Sequence, residues 1–422
     1  MLSRLCPLAS LCLRWLALLL LTALLAGTSA ALFLLTLRLV GQWHAQAPWL
    51  LWGLPLAGLW MGWWYHRYAG AAALGNNLLL QQVHQPTQVI PLRMAPMILL
   101  TTLVSHLFGA SVGREGTAMQ MGASMADQVG HKLGFVQQQR PLIIIMGMSG
   151  GFAALFGTPI AGAIFAIEVL ALGMLRWRAL PLALLVAFAA DWVCSAWGVV
   201  HDYFPAIELP TLGWHWWALL LLPLAFGLVG SLFSRLMLVL TRLWARLSIW
   251  PPFKPALAGL ILALLAWQLP LSPYLGLGVE RIQLAFVQPL PPWDWLAKLA
   301  TTTWSLAGGF KGGEVTPLFF IGATLGNALA YVTALPLSFV VALGFVAVFA
   351  AASNTPLACS VMAAEIFGWH LLPFALLVCY GSYWVSGYVG IYSSQALGRG
   401  KYFGSPRSGT LADLANKKNT DK

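Results

Sequence analysis

Gly113-Arg114-Glu115-Gly116-Thr117 and Gly312-Gly313-Glu314-Val315-Thr316-Pro317 each place a glutamate in a glycine-rich turn that opens into an apolar segment. A second pair recurs at nearly the same offset: Thr158-Pro159-Ile160-Ala161 running on to Glu168, and Thr355-Pro356-Leu357-Ala358 running on to Glu365. Two matched pairs in the same order mean two related halves. A carboxylate is costly in a bilayer and persists there only where water, ions or partners meet it. Halves that repeat in this way are typical of transporters with a binding site near the membrane midplane.

Composition sets the solvent. Apolar residues make up 59% of the chain and charged residues 8%, with a mean hydropathy of +0.79, so lipid must cover most of the surface. The runs, such as Trp15 to Leu37, are apolar all round rather than alternating, which excludes a transmembrane β-barrel. The expected class is an all-α polytopic membrane protein. Arg4 ahead of an apolar stretch and the small residues Thr28-Ser29-Ala30 mimic a signal peptide, but the apolar run continues past them, so a retained helix is expected.

The net charge of +11 does not point to nucleic acid, because the basic residues fall in short clusters: Arg4 and Arg14, Arg176 and Arg178, Arg235 through Lys254, and Lys417, Lys418 and Lys422. Read as loops, these follow the positive-inside pattern. That places both termini in the cytoplasm and the loop with Asp202 and Glu208 outside, with an even number of crossings of the inner membrane. Cys6, Cys12, Cys194, Cys359 and Cys379 show no metal spacing and are read as small packing residues. The whole chain, 1–422, is read as one transmembrane domain with halves at roughly 10–205 and 206–400, divided in the Val199–Trp214 loop. Residues 401–422 are read as a polar cytoplasmic tail without a core.

Glycine clusters at Gly147, Gly150, Gly151 and Gly157, and again at Gly308, Gly309, Gly312 and Gly313, predict tilted, broken or partial helices. Thr158-Pro159, Thr316-Pro317 and Thr355-Pro356 suit helix starts, with Thr at the cap and Pro at the first helical position. Helix starts leave N–H groups unpaired at a partly positive end, so several starts converging at mid-depth would hold an anion without Lys or Arg. Glu115 at such a start would occupy the anion site when ionised and vacate it when protonated, since both species seek the same N–H groups. Glu314 holds the matching position, as a second proton carrier or as a capping carboxylate. Glu168 and Glu365 are read as structural carboxylates that satisfy amides at the membrane face, and Asp191 receives no role.

Gly113-Arg114-Glu115-Gly116, then Gly151-Phe152, Phe156, Thr158-Pro159, Ala161-Gly162, Phe165 and Glu168, then Gly312-Gly313 with Pro317, resemble in order and spacing the three signatures of the CLC chloride channel and transporter family. The resemblance runs from the first helix to Tyr392. It implies two inverted repeats of tilted and partial helices, and a homodimer with one pore per subunit. It also implies that Tyr392, in Ile391-Tyr392-Ser393-Ser394, donates its hydroxyl to a central anion.

Four departures shift the expected substrate. Where chloride-type members carry Gly-Ser-Gly-Ile-Pro, this chain has Gly75-Asn76-Asn77-Leu78. Gly116-Thr117 replaces the usual Gly-Pro, Glu314-Val315-Thr316 replaces an apolar pair, and Val169 stands where proton-coupled chloride exchangers place an inner glutamate. The first counts against chloride as the main substrate, and the second and third resemble the fluoride-exporting branch. The resulting expectation is a fluoride/proton antiporter without cofactor or metal, embedded in lipid, with Glu115 as the exchanging gate and Glu314 as the second proton carrier. Its anion donors would be Gly113, Arg114, Gly116, Asn76 or Asn77, Thr316 and Tyr392. A chloride channel or chloride/proton exchanger on the same scaffold is the alternative. A membrane-embedded enzyme using Glu115 and Glu314 as acid and base is opposed by the lack of a His-Glu-x-x-His motif or a nucleophile beside a base.

Overall fold

Glycine and proline cut the apolar runs into seventeen α-helices, with no strand among the described residues of this computed structural model. These are residues 2–210, 213, 217–402 and 408–420, with side chains described between residues 10 and 416. The side chains of Arg4, Cys6, Lys417, Lys418 and Lys422, and Trp214 at the edge of the inter-half loop, lie outside them. The first eight helices are α1 (Leu2–Gln46), α2 (Leu54–Tyr68), α3 (Asn76–His84), α4 (Met94–Leu107), α5 (Glu115–Lys132), α6 (Arg140–Phe156), α7 (Pro159–Glu168) and α8 (Leu180–Ala196). The next eight are α9 (Ala218–Arg246), α10 (Phe253–Gln268), α11 (Val279–Ala285), α12 (Asp294–Gly308), α13 (Val315–Thr333), α14 (Leu337–Ser353), α15 (Pro356–Phe367) and α16 (Leu372–Val385). A final α17 spans Leu411–Thr420.

The packing repeats from one set of eight to the next. α5 packs on α6 as α13 packs on α14; α6 touches α7 and α8 as α14 touches α15 and α16; α1 lies on α8 as α9 lies on α16. The sets meet where equivalent helices face each other, α2 against α10, α5 against α13 and α7 against α15. Glycine makes the closest of these approaches possible. A Cβ on Gly122 would lie 2.2 Å from the Gly147 carbonyl oxygen, and one on Gly322 would lie 2.0 Å from that of Gly344, so backbones touch at equivalent places in both halves. Asp127 and Asn327 repeat a polar device. Each accepts a backbone N–H from the loop ahead of the preceding helix, that of Ile90 at 2.8 Å and that of Leu290 at 3.0 Å. Arg140 balances Asp127 at 2.8 Å.

Helix lengths vary as the glycine and proline pattern predicts. Among the described residues five helices are long and apolar enough to cross a membrane, Ser10–Gln46, Gln137–Phe156, Trp177–Ala196, Ala218–Arg246 and Val315–Thr333, while Pro159–Glu168 and Pro356–Phe367 are apolar but short. α1 runs unbroken through Thr28-Ser29-Ala30 and packs on α4, α5, α6 and α8. Large apolar side chains such as Leu185, Phe188 and Trp192 on α8 and Leu220, Leu224 and Leu228 on α9 face outward, as a lipid-covered surface requires.

Several expectations need correction. Arg235, Arg242 and Arg246 lie on α9 and Arg14 on α1, not in loops. α9 is about 44 Å long, beyond the ~30 Å hydrocarbon core, so its basic end can reach the headgroups. Thr316-Pro317 is not a cap and first residue: α13 begins at Val315 with Glu314 at its cap, because Pro is tolerated anywhere in a first turn whose N–H groups lack intrahelical partners. Cys194, Cys359 and Cys379 are buried as packing residues, but Cys12 is exposed. The segment from Lys401 on is not without a core. Leu411 at the start of α17 packs with Leu172, Tyr383 and Leu397. Lys401, 8% exposed, donates to the Tyr383 carbonyl at 2.7 Å and the Ser386 hydroxyl at 2.9 Å.

Candidate functional site

The two glycine-rich turns meet. Gly113 and Gly313 exchange backbone hydrogen bonds, N–H to O at 2.6 Å one way and 2.8 Å the other, so the starts of α5 and α13 are tied into one antiparallel contact. No side chain fits there: a Cβ on Gly113 would lie 2.8 Å from Glu115 Oε2 and from Pro317 Cδ, and one on Gly313 would lie 2.8 Å from the Gly116 nitrogen.

Glu115 is the first residue of α5 and is fully buried. Its Oε2 accepts the N–H of Arg114 at 3.0 Å and, from the other half, the N–H of Thr316 at 3.0 Å. Its Oε1 accepts the Thr316 hydroxyl. The Arg114 guanidinium lies 3.7 Å from Oε1 and reaches outward to Asp202 at 2.5 Å. One carboxylate thus takes donors from both helix starts, the place where backbone N–H groups and the helix dipole favour negative charge.

Two cavities flank this contact. A small one of about 30 Å³ ends on Arg114, Asp202, Phe204, Thr316 and Phe319. A larger one of about 160 Å³ is walled by Asn76, Asn77, Gln120, Lys311, Glu314 and Tyr392 among others. Room for several waters is combined there with unpaired polar atoms: Asn76 Oδ1, Glu314 Oε2 and the Tyr392 hydroxyl are all buried without a hydrogen-bond partner. Three such atoms on one cavity are costly unless water or a ligand meets them.

The sequence candidates divide by what they touch. Glu314 makes no side-chain cap for α13; its carboxyl faces the cavity. Asn76 opens α3 after Gly75, whose φ of +57° suits glycine. A Cβ on Gly116 would sit 2.8 Å from Asn76 Nδ2, so Gly116 makes room for this amide. Asn77 is already engaged: its Oδ1 accepts the Ser394 N–H at 2.9 Å and so fixes the strand of chain just after Tyr392. Gly113 gives its N–H to Gly313. Tyr392 is 2% exposed, its ring edge-on to Phe165.

The other two Thr-Pro starts do not join the site. The first N–H groups of α7, on Ile160 and Ala161, go to Glu365 at 2.9 and 2.7 Å, and those of α15, on Leu357 and Ala358, go to Glu168 at 3.0 and 2.8 Å. Both starts are therefore closed to an anion, so of the several starts expected to converge on it these two do not. The two carboxylates are structural, but Glu168 is buried rather than solvated. Val169 is also buried, so that position offers no proton carrier. Asp191, unassigned from sequence, lies 3.4 Å from His201. The sequence reading missed Gln120, Lys311 and the Arg114–Asp202 pair. For Lys311 a signal existed, since it is a cation in an apolar stretch immediately before Gly312.

Known proteins resemble this chain over most of its length. Residues 57–387 match the family model described as voltage gated chloride channel. A chloride/fluoride channel protein of Pseudomonas syringae pv. tomato is 48% identical over 92% of this chain and 88% of its own length. A voltage-gated ClC-type chloride channel, ClcB, of Salmonella typhimurium is 27% identical over 66% of this chain and 70% of its own. Among solved structures, a CLC-type fluoride/proton antiporter superposes with a TM-score of 0.87 at 35% identity, covering 90% of this chain and 97% of that one. A slow cyanobacterial Cl⁻/H⁺ antiporter superposes with a TM-score of 0.80 at 19% identity over 97% and 98%, a likeness of fold. The two joined glycine-rich turns, the paired eight-helix packing and these matches together place the chain in the CLC family of voltage-gated-chloride-channel-type transport proteins.

Proposed function

We propose that this chain is a fluoride/proton antiporter that expels fluoride from the cytoplasm in exchange for inward protons. The observation that carries the reading is the seat of Glu115, whose carboxylate occupies the N–H and hydroxyl of Thr316 and the N–H of Arg114. A small anion would need those same donors, so carboxylate and anion exclude each other. Protonation weakens the hold of Glu115 on N–H donors, it swings away, and the anion takes its place. Glu314, facing the larger cavity, carries the proton on the cytoplasmic side. The Asn76 amide N–H and the unpaired Tyr392 hydroxyl, with Thr316, then replace the water that fluoride sheds, which is needed because burying a bare charge is otherwise prohibitive.

Fluoride rather than chloride is supported by Asn76 and Glu314 sharing one cavity, by Thr316 holding the Glu115 carboxylate beside it, and by the likeness to a solved fluoride/proton antiporter. The chain sits in the inner membrane as one transmembrane domain with both termini cytoplasmic, as a homodimer. The smaller cavity and Asp202 face outward. Proteoliposomes loaded with fluoride decide the matter when a fluoride electrode and a pH electrode are read together. Fluoride leaving down its gradient should pull protons inward against theirs, with little flux from a chloride-loaded sample. Equal or greater chloride flux would assign the chain to chloride transport instead.

A further inference from the structure

The larger cavity contains one cation, which the mechanism above does not use. Lys311 lies in the turn between α12 and α13, directly before Gly312, and is half-buried on the cavity wall beside Glu314, Asn76, Gln120 and Tyr392. Among the described residues no carboxylate lies within ion-pair range of it. Its ammonium instead rests 4.4 Å from the centre of the Tyr65 ring, a contact that orients the cation without neutralising it. The remaining polar wall is made of neutral amides and a phenol, apart from Glu314 itself. An unneutralised positive charge in a concave site with low-dielectric walls raises the local concentration of anions and speeds their arrival.

We propose that Lys311, held by Tyr65, is the cation that collects the transported anion into the larger cavity and sets its apparent affinity from that side. This deepens the transport reading and rests on it, but it does not depend on which halide is carried. Lys311 would act as a positioning charge rather than as a proton carrier. Its loss should therefore change how much anion is needed and leave the anion-to-proton ratio alone.

The test is a variant series in proteoliposomes, with initial flux measured against anion concentration on the side facing this cavity. Lys311→Met should raise the half-saturating concentration about tenfold with an unchanged anion-to-proton ratio, whereas Lys311→Arg should stay within about twofold of the parent. Lys311→Cys should resemble Lys311→Met and recover when a membrane-impermeant trimethylammonium thiosulfonate restores the charge, but not when a sulfonate reagent is attached; the parent chain, treated alike, controls for its own cysteines. An unchanged half-saturation in Lys311→Met, or equal recovery with the sulfonate, would overturn the proposal. Should Lys311→Met fail to assemble, the Arg variant and the two Cys adducts decide it alone. A parent chain that moves chloride and not fluoride would sink the fluoride reading, and the same series read with chloride would still judge Lys311.

Discussion

Glu168 and Glu365 close each other's helices. Glu168, the last residue of α7, accepts the first N–H groups of α15, and Glu365, near the end of α15, accepts the first N–H groups of α7. Pro159 and Pro356 remove one of the four N–H groups at each start that no intrahelical carbonyl can reach, and two of the remaining three lie on the residues just after the proline. A carboxylate with two oxygens matches that demand. The exchange locks α7 against α15.

Removing either carboxylate should therefore cost stability rather than selectivity. Glu168→Ala strands two buried N–H groups, at about 1–3 kcal/mol for each unsatisfied donor, and Glu168→Gln should cost less because one acceptor oxygen remains. Thermal unfolding in detergent, followed by tryptophan fluorescence, would rank parent, Gln and Ala in that order. A lost anion-to-proton ratio in Glu168→Gln, with unfolding unchanged, would instead make this residue part of the proton route.

For Glu115 the expected outcome is the reverse, a change in coupling with the fold intact. Glu115→Gln keeps the shape but cannot ionise, so on the proposed mechanism no proton moves with the anion. Anion movement without acidification in proteoliposomes is the expected result, and normal proton-linked transport would remove Glu115 from the mechanism. Glu314→Gln should stall or uncouple turnover in the same assay.

Gly116 and Gly313 separate a local effect from a structural one. A Cβ on Gly116 presses on the end of the Asn76 side chain, whereas one on Gly313 presses on backbone nitrogen. Gly116→Ala should assemble and show weaker anion binding, because the amide can swing aside. Gly313→Ala should disturb the paired turns and lose about 1–3 kcal/mol of stability, visible as reduced yield and earlier unfolding. Equal behaviour of the two variants would mean that Asn76 does not shape the anion site.

The all-α class was legible from the apolar runs, and the two turns that meet at Gly113 and Gly313 were marked by a glycine cluster and a charge in an apolar run. What the chain does with long-range partners left no such mark. Nothing around Glu168 names Leu357 and Ala358 as its donors, and Asp202 carries no sign of Arg114. The Thr-Pro pattern misled at Thr316, since proline fits throughout a first turn, and it suggested several converging starts where two are closed by carboxylates. Tail composition misled similarly: Lys401 and Leu411 read as polar-segment residues, yet both are buried against the end of the helical core.

That docking of the tail has a consequence for the anion. Ser393, Ser394 and Gln395 follow Tyr392 directly, and each is held from a distance: the Ser394 N–H by Asn77, the Ser393 carbonyl by the Ala412 N–H at 3.0 Å, and the Gln395 carbonyl by the Leu411 N–H at 3.1 Å. The Leu397 N–H adds a bond to the Gly409 carbonyl at 3.0 Å. The core holds the same segment as well, through the Ile391 N–H to the Ala352 carbonyl at 2.9 Å, the Gln81 amide to the Ser394 hydroxyl at 3.1 Å and the Gln395 amide to the Val169 carbonyl at 2.9 Å, so the start of α17 supplies two clamps among several. Deleting residues 409–422 removes those two and leaves the Asn77 clamp and the bonds from the core, so the tyrosine hydroxyl should be held less tightly and should bind an anion less well. On the proposed mechanism the half-saturating fluoride concentration should rise about fivefold, the value of roughly one hydrogen bond, with the anion-to-proton ratio unchanged because Glu115 and Thr316 are untouched. Tyr392→Phe should reproduce that shift, and combining it with the deletion should add little, since both act through the same hydroxyl. A deletion that leaves fluoride affinity at the parental value would show that the clamps from α17 do not reach Tyr392.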